Sequence, residues 1–99
     1  MRVFVSSASS AIRPQILAYA EFRMFAALAR YPAVQGARVT LRQDSSDGKV
    51  RCSVTIDFDR ARSAKAVASG PHAAATIDRA AERVIQLMRR RFQPESVGA

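Results

Sequence analysis

The chain of 99 residues has no tryptophan, one cysteine and one histidine. With Cys52 alone, an internal disulfide cannot form and no two-cysteine metal or redox motif exists. His72 stands just after Gly70-Pro71, where a solvated residue at the start of a helix is expected. No spacing of His, Cys, Asp and Glu builds a metal site or a nucleophile with its base, so neither an enzyme, nor a cofactor, nor a small-molecule substrate is expected. Gly70 lacks the neighbouring glycines of a phosphate-cradling loop. Long apolar runs are missing too. Nothing approaches the ~18 residues of a membrane span, and MRVFVSSASSAIRPQ at the N-terminus has only a short apolar run before polar residues. A cytoplasmic protein without a membrane partner is the expectation.

Acidic residues are scarce: eight Asp and Glu stand against sixteen Lys and Arg, a formal net charge of +8. Fourteen of the sixteen are Arg, whose planar guanidinium makes paired hydrogen bonds to phosphate and stacks on bases. A GC-rich genome accounts for Arg in place of Lys but not for the charge excess, so a polyanion is the leading class of partner. Apolar residues form 48% of the chain, which is enough for a folded domain and too much for a disordered tail. One domain over residues 1–92 is expected, followed by a frayed tail, QPESVGA, at 93–99.

RVFVSS (2–7) is β-branched and short, which predicts a strand. Ser9 or Ser10 is then placed to cap a helix with Pro14 in its first turn, running to about Arg30 before Tyr31-Pro32 stops it. Leu17, Ala20, Met24, Leu28 and Tyr31 recur at spacings of three and four and form its core stripe; Tyr19 and Phe22 fall off that stripe, and Arg23 and Arg30 flank it. GARVTLRQ (36–43) and KVRCSVTIDFD (49–59) alternate with period two, so each is a strand with one buried face, and DSSDG (44–48) supplies the turn of an antiparallel hairpin. Cys52 falls on the core side. RARSAKAVAS (60–69) is short of large apolar groups and suits an edge strand. HAAATIDRAAERVIQLMRRRF (72–92) is a helix, with Ile77, Ala81, Val84 and Met88 on its core stripe. The order β-α-β-β-β-α with one apolar sheet face predicts an α+β two-layer sandwich.

The arginines of the last helix are the informative pattern. At ~100° per residue Arg79, Arg83 and Arg90 share a sector away from Ile77 and Met88, with Gln86 between them. Arg79 and Arg83 are like charges at i,i+4, which costs an isolated helix roughly 0.2 to 0.5 kcal/mol and points to an outside anion. Arg89, Arg90 and Arg91 fill the last turn, where complementing the helix dipole and holding phosphate are comparable explanations. Arg38, Arg42, Arg51 and Lys65 lie on the open sheet face, which Asp57 shares.

The order of elements together with TIDRAAERVIQLMRRRF resembles the ribosome hibernation-promoting factor family, also called ribosome-associated inhibitor or ribosomal subunit interface proteins. The resemblance spans roughly residues 2–92, with VASG (67–70) before the last helix and EFRMFAALARY (21–31) at the end of the first as further points of likeness. It implies a four-stranded sheet with two roughly parallel helices on one face, related to double-stranded-RNA-binding domains. It also implies binding of small ribosomal subunit rRNA in the mRNA and tRNA channel and silencing of translation in starvation or stationary phase. Arg83 and Arg90 match basic positions of the family's second helix, and Arg23 and Arg30 lie in the corresponding part of the first. Gln86 stands where many members have a basic residue. The RNA-binding set expected is therefore Arg79, Arg83, Arg90, Arg23, Arg30, Arg89 and Arg91. Two other functions fit the same scaffold: a general binder of structured RNA, and a protein interaction or homodimer module using Tyr19, Phe22 and the open sheet face.

Overall fold

The structure, a computed structural model, describes residues 1–92. The tail expected at 93–99 lies outside the described residues. The elements follow the expected order: β1 (Arg2–Ser7), α1 (Pro14–Leu28), β2 (Val34–Gln43), β3 (Val50–Phe58), β4 (Ser63–Gly70) and α2 (Ala73–Phe92). They form one four-stranded sheet in the order β1-β2-β3-β4. β1 runs parallel to β2, a pairing that needs a crossover, and α1 is that crossover. β2, β3 and β4 are antiparallel neighbours.

The two-layer α+β sandwich follows from the alternation in the strands. Ala37, Val39 and Leu41 of β2, Cys52, Val54, Ile56 and Phe58 of β3, and Ala66 and Ala68 of β4 are all buried on one face. Met24 and Leu28 of α1 and Ile77, Ala80, Ala81, Val84 and Met88 of α2 close the core over them. Residues early in α1 meet residues early in α2, and late meet late: Tyr19 bonds Asp78, and Tyr31 packs against Phe92 at 5.8 Å between ring centroids. The helices therefore run parallel. Among the described residues no helix covers the other sheet face.

Three local expectations are corrected. Neither Ser9 nor Ser10 caps α1: Arg13 is the N-cap residue, and no side chain bonds the first amides. Pro14 sits at the helix start and fixes it there, leaving the serines too far upstream to reach those amides. The Ser7 hydroxyl instead donates to the Ser9 carbonyl and accepts from the Ser9 amide, building the turn between β1 and α1. The end of α1 falls at Leu28, short of Arg30, with Ala29 as its cap. Finally, the segment before β4 opens with a 3-10 turn at Asp59–Ala61 in which Arg60 takes φ 61, so the strand begins only at Ser63.

Two glycines answer to geometry. Gly48 closes the β2-β3 turn at φ +72, which side chains other than glycine rarely adopt. Gly36 faces β1 so closely that a Cβ there would lie 2.9 Å from the Arg2 carbonyl oxygen. In the same turn Asp44 accepts from the Ser46 amide and hydroxyl at 2.9 and 2.7 Å, which holds its carboxyl below the usual range.

Candidate nucleic-acid interface

The expected stripe of α2 does not stand off in solvent. Arg79 Nη1 donates to the Ser69 carbonyl at 2.9 Å, and Arg83 Nη1 donates to the Val67 carbonyl. Both carbonyls belong to β4, an outer strand of the sheet. The spacings match: four residues of helix rise ~6 Å and two of strand ~6.6 Å, so arginines at i,i+4 reach alternate carbonyls. The edge of β4 thus supplies acceptors of its own, and the small repulsion of the pair is accommodated within the fold. Each guanidinium carries five N–H donors, so both arginines keep donors for a further partner.

Arg23 is also engaged. Its Nε lies 3.1 Å from Asp78 Oδ1, and the Tyr19 hydroxyl donates to the same oxygen. Asp78 therefore ties α1 to α2, beyond any interaction with its own helix dipole. Tyr19, expected off the core stripe, is half-buried by this bond, which holds its phenol above the ordinary range. Arg91 stacks over Phe58 at 4.7 Å, beside the packing of Phe92 on Phe58 and Tyr31, and so helps anchor the end of α2.

Three arginines of the expected set are left: Arg30, Arg89 and Arg90 are exposed and make no hydrogen bond or ion pair with other described residues. Arg30, just beyond α1, and Arg89 of α2 line one small cleft of about 80 Å³, with Ala26, Ala27, Tyr31 and Ile85. The parallel course of the helices puts their C-terminal ends at one end of the molecule, where Arg30 and Arg89 share this cleft and Arg90 lies in the same last turn of α2. The outward side of α1 is apolar, with Phe22 and Phe25 68% and 52% exposed and Ala18 and Ala29 exposed in line with them. The i, i+4, i+7, i+11 spacing of these four residues carries that signal in the sequence and extends the exposed apolar surface beyond Phe22.

The second basic surface is the open sheet face. The register aligns Arg38 with Thr55 and Lys65, and Arg42 with Arg51 and Ser69. Asp57 pairs with Arg38 at 3.2 Å.

Among the described residues no group of three His, Cys, Asp or Glu is placed to share a metal ion, and no helix is long and apolar enough to cross a membrane. Cys52 is buried in the core, which pushes its thiol up from 9.0 to about 11. Between pH 9 and 11 the unfolded chain releases a proton that the folded chain keeps, so stability falls with rising pH across that window. The slope is at most ~1.4 kcal/mol per pH unit. Urea unfolding of Cys52→Ala should lack this component, and its persistence unchanged would show that the thiol does not cause it.

Comparison with curated proteins gives no sequence match. Among solved structures, the chain is similar to a ribosomal subunit interface protein from Coxiella burnetii, with a TM-score of 0.80 at 10% identity over 95% of this chain and 100% of that one. It is also similar to the N-terminal domain of Protein Y from Thermus thermophilus, with a TM-score of 0.68 at 22% identity over 90% of this chain and 93% of that one. At these identities the likeness speaks for the fold. The model of the Sigma 54 modulation protein / S30EA ribosomal protein family matches residues 3–93, nearly the whole chain, and the chain belongs to that family.

Proposed function

We propose that this protein binds the ribosome, entering the small-subunit mRNA and tRNA channel and blocking it by steric exclusion. The family and the name of the Coxiella structure point to the ribosomal subunit interface. The observation that carries the reading is the pair of exposed guanidiniums, Arg30 and Arg89, lining one cleft where both helices end, with the exposed Arg90 in the same last turn and no acidic partner among the described residues. rRNA phosphate is the partner such a group fits, and a fixed RNA shape can be read through its backbone without base contacts. Arg79 and Arg83 lie further back along α2 on its β4 side and keep spare donors, while Arg23 and Arg91 act mainly by fixing the helices that present the group. The whole described chain, residues 1–92, is the binding unit.

Phosphate contacts release counterions, so affinity falls steeply with salt. For three contacts, a fourfold rise in salt should weaken binding about 40-fold. Co-sedimentation with isolated small subunits at two salt concentrations measures this, with an unrelated RNA hairpin as competitor. A protein that stays in the free fraction at low salt refutes the proposal. Equal displacement by the hairpin reassigns the protein as a general binder of structured RNA.

A further inference from the structure

The open sheet face has a composition that solvent alone does not require. The strand register sorts it into rows. One row is Phe4, Arg38, Thr55 and Lys65; the next is Ser6, Thr40, Ser53 and Val67; the third is Arg42, Arg51 and Ser69. Cations thus lie on both sides of a hydroxyl-rich row. Asp57 is the one acid on this face of the paired strands, and Arg38 holds it.

The third row sets two like charges opposite each other. Arg42 and Arg51 are directly paired across β2 and β3, where side chains approach to ~5 Å, and neither has a carboxylate within ion-pairing distance among the described residues. Asp44 of the adjoining turn shares their cleft of about 510 Å³ and attracts both guanidiniums without reaching ion-pairing distance, one of its oxygens being held by two bonds from Ser46. Asp47, in the same cleft, accepts from the Lys49 amide. An anion placed between Arg42 and Arg51 relieves their repulsion. At the β1 end of the first row, Phe4 is 59% exposed on a strand whose other apolar side chains, Val3 and Val5, pack against the core. Phe4, Arg38, Thr40, Ser53 and Lys65 line a shallow cleft of about 530 Å³ over the first two rows.

We infer that the open sheet face is a second RNA surface, and that it takes an unpaired strand. The cations match a phosphate backbone, and the Ser and Thr hydroxyls match base edges and the ribose 2′-hydroxyl. The Phe4 ring engages a base only by its flat face, which a duplex keeps stacked against its neighbours. The same excess of positive charge opposes a second copy docking on this face. The inference stands on different side chains from the helix-end group and does not require it.

The probe is a labelled, unstructured RNA 12-mer, followed by fluorescence anisotropy at low salt. Phe4→Ala should weaken binding about 5- to 160-fold, the range of one lost base stack, and Phe4→Trp should restore it. Arg42→Glu with Arg51→Glu should abolish binding, whereas Arg30→Glu with Arg89→Glu should retain it. All these side chains except that of Phe4 are polar and exposed, and circular dichroism verifies the fold; the Ala and Trp variants of Phe4 decide the matter if the double variant does not fold. Binding that is insensitive to Phe4 or to the Arg42 and Arg51 pair overturns the inference, as does equal competition by a 12-bp duplex. So does a concentration-dependent dimer of the protein alone that Phe4→Ala dissolves, which would assign the face to a second copy. Small-subunit co-sedimentation reads the helix ends, so each surface can fail by itself.

Discussion

Arg30→Glu combined with Arg89→Glu should reduce small-subunit co-sedimentation by at least 100-fold while leaving the fold intact. Both guanidiniums are exposed and line the same cleft between the ends of α1 and α2, with no partner among the described residues. A hydrogen bond to a charged group contributes roughly 1.5 to 3 kcal/mol, so two lost phosphate contacts amount to about 3 to 6 kcal/mol, on the order of 10²- to 10⁴-fold. Reversal goes further than loss, because each Glu then repels the phosphate. The cost to the fold is small by comparison. Arg89 sits in the last turn of α2, where replacing a favourable charge by an unfavourable one costs about 1 kcal/mol. The experiment is sedimentation beside wild type, with thermal unfolding as the control. Wild-type association of this variant would remove the helix ends from the interface. Release by Arg79→Ala with Arg83→Ala alone would shift the interface to the β4 side.

Ile56→Ala should lower the melting temperature by roughly 12 to 40 °C. Ile56 is fully buried at the middle of β3, a strand paired on both sides. Its neighbours in register are Ala37 on β2 and Ala64 on β4, with Val3 of β1 at the far end of the row, so it is the largest side chain there and has only alanine beside it. Truncation leaves three alanines across the sheet beneath the helices, and no adjoining strand residue is long enough to fill the space. Ile→Ala costs 2 to 5 kcal/mol depending on how far the site collapses, and a row without a compensating side chain belongs to the upper part, about 3 to 5. At ~4 to 8 °C per kcal/mol for a chain of this size, the shift follows. Melting by circular dichroism measures it, and a drop below about 5 °C would mean that the helices settle into the gap. The alanines have their own purpose: Ala66 and Ala68 on β4 and Ala80 and Ala81 on α2 are all buried, and small side chains let helix and strand approach closely. That approach brings Arg79 and Arg83 within reach of the β4 carbonyls.

Much of the fold was legible in advance because its signals are local. Val50, Cys52, Val54, Ile56 and Phe58 alternate with polar residues, and all five are buried. Ile77, Ala81, Val84 and Met88 recur with helical spacing, and all four are fully buried. The scarcity of large apolar groups in 60–69 marked β4 as an edge strand, which it is. The family likeness carried by TIDRAAERVIQLMRRRF is borne out as well. The candidate site was less legible. A helical wheel places Arg79 and Arg83 on one side of α2 but is silent about what lies there. Tyr19 falls off the core stripe of its own helix, and the spacing gives no sign of the partner that partly covers it, because Asp78 comes from the other helix.

The sequence by itself determined the element order, the buried face of each strand and helix, and the excess of arginine, because each depends on spacing within a segment or on composition. Only the tertiary structure decided the strand order and which arginines are engaged, while the parallel course of the helices, implied by the family resemblance, follows from no spacing within a segment. A guanidinium on a long side chain bonds whatever acceptor the neighbouring element offers. Arg23 meets Asp78, Arg79 and Arg83 meet the edge of β4, and Arg91 meets the ring of Phe58. Arg30, Arg89 and Arg90 meet no described partner because the helices end there together, and nothing in the spacing of either helix alone encodes that meeting.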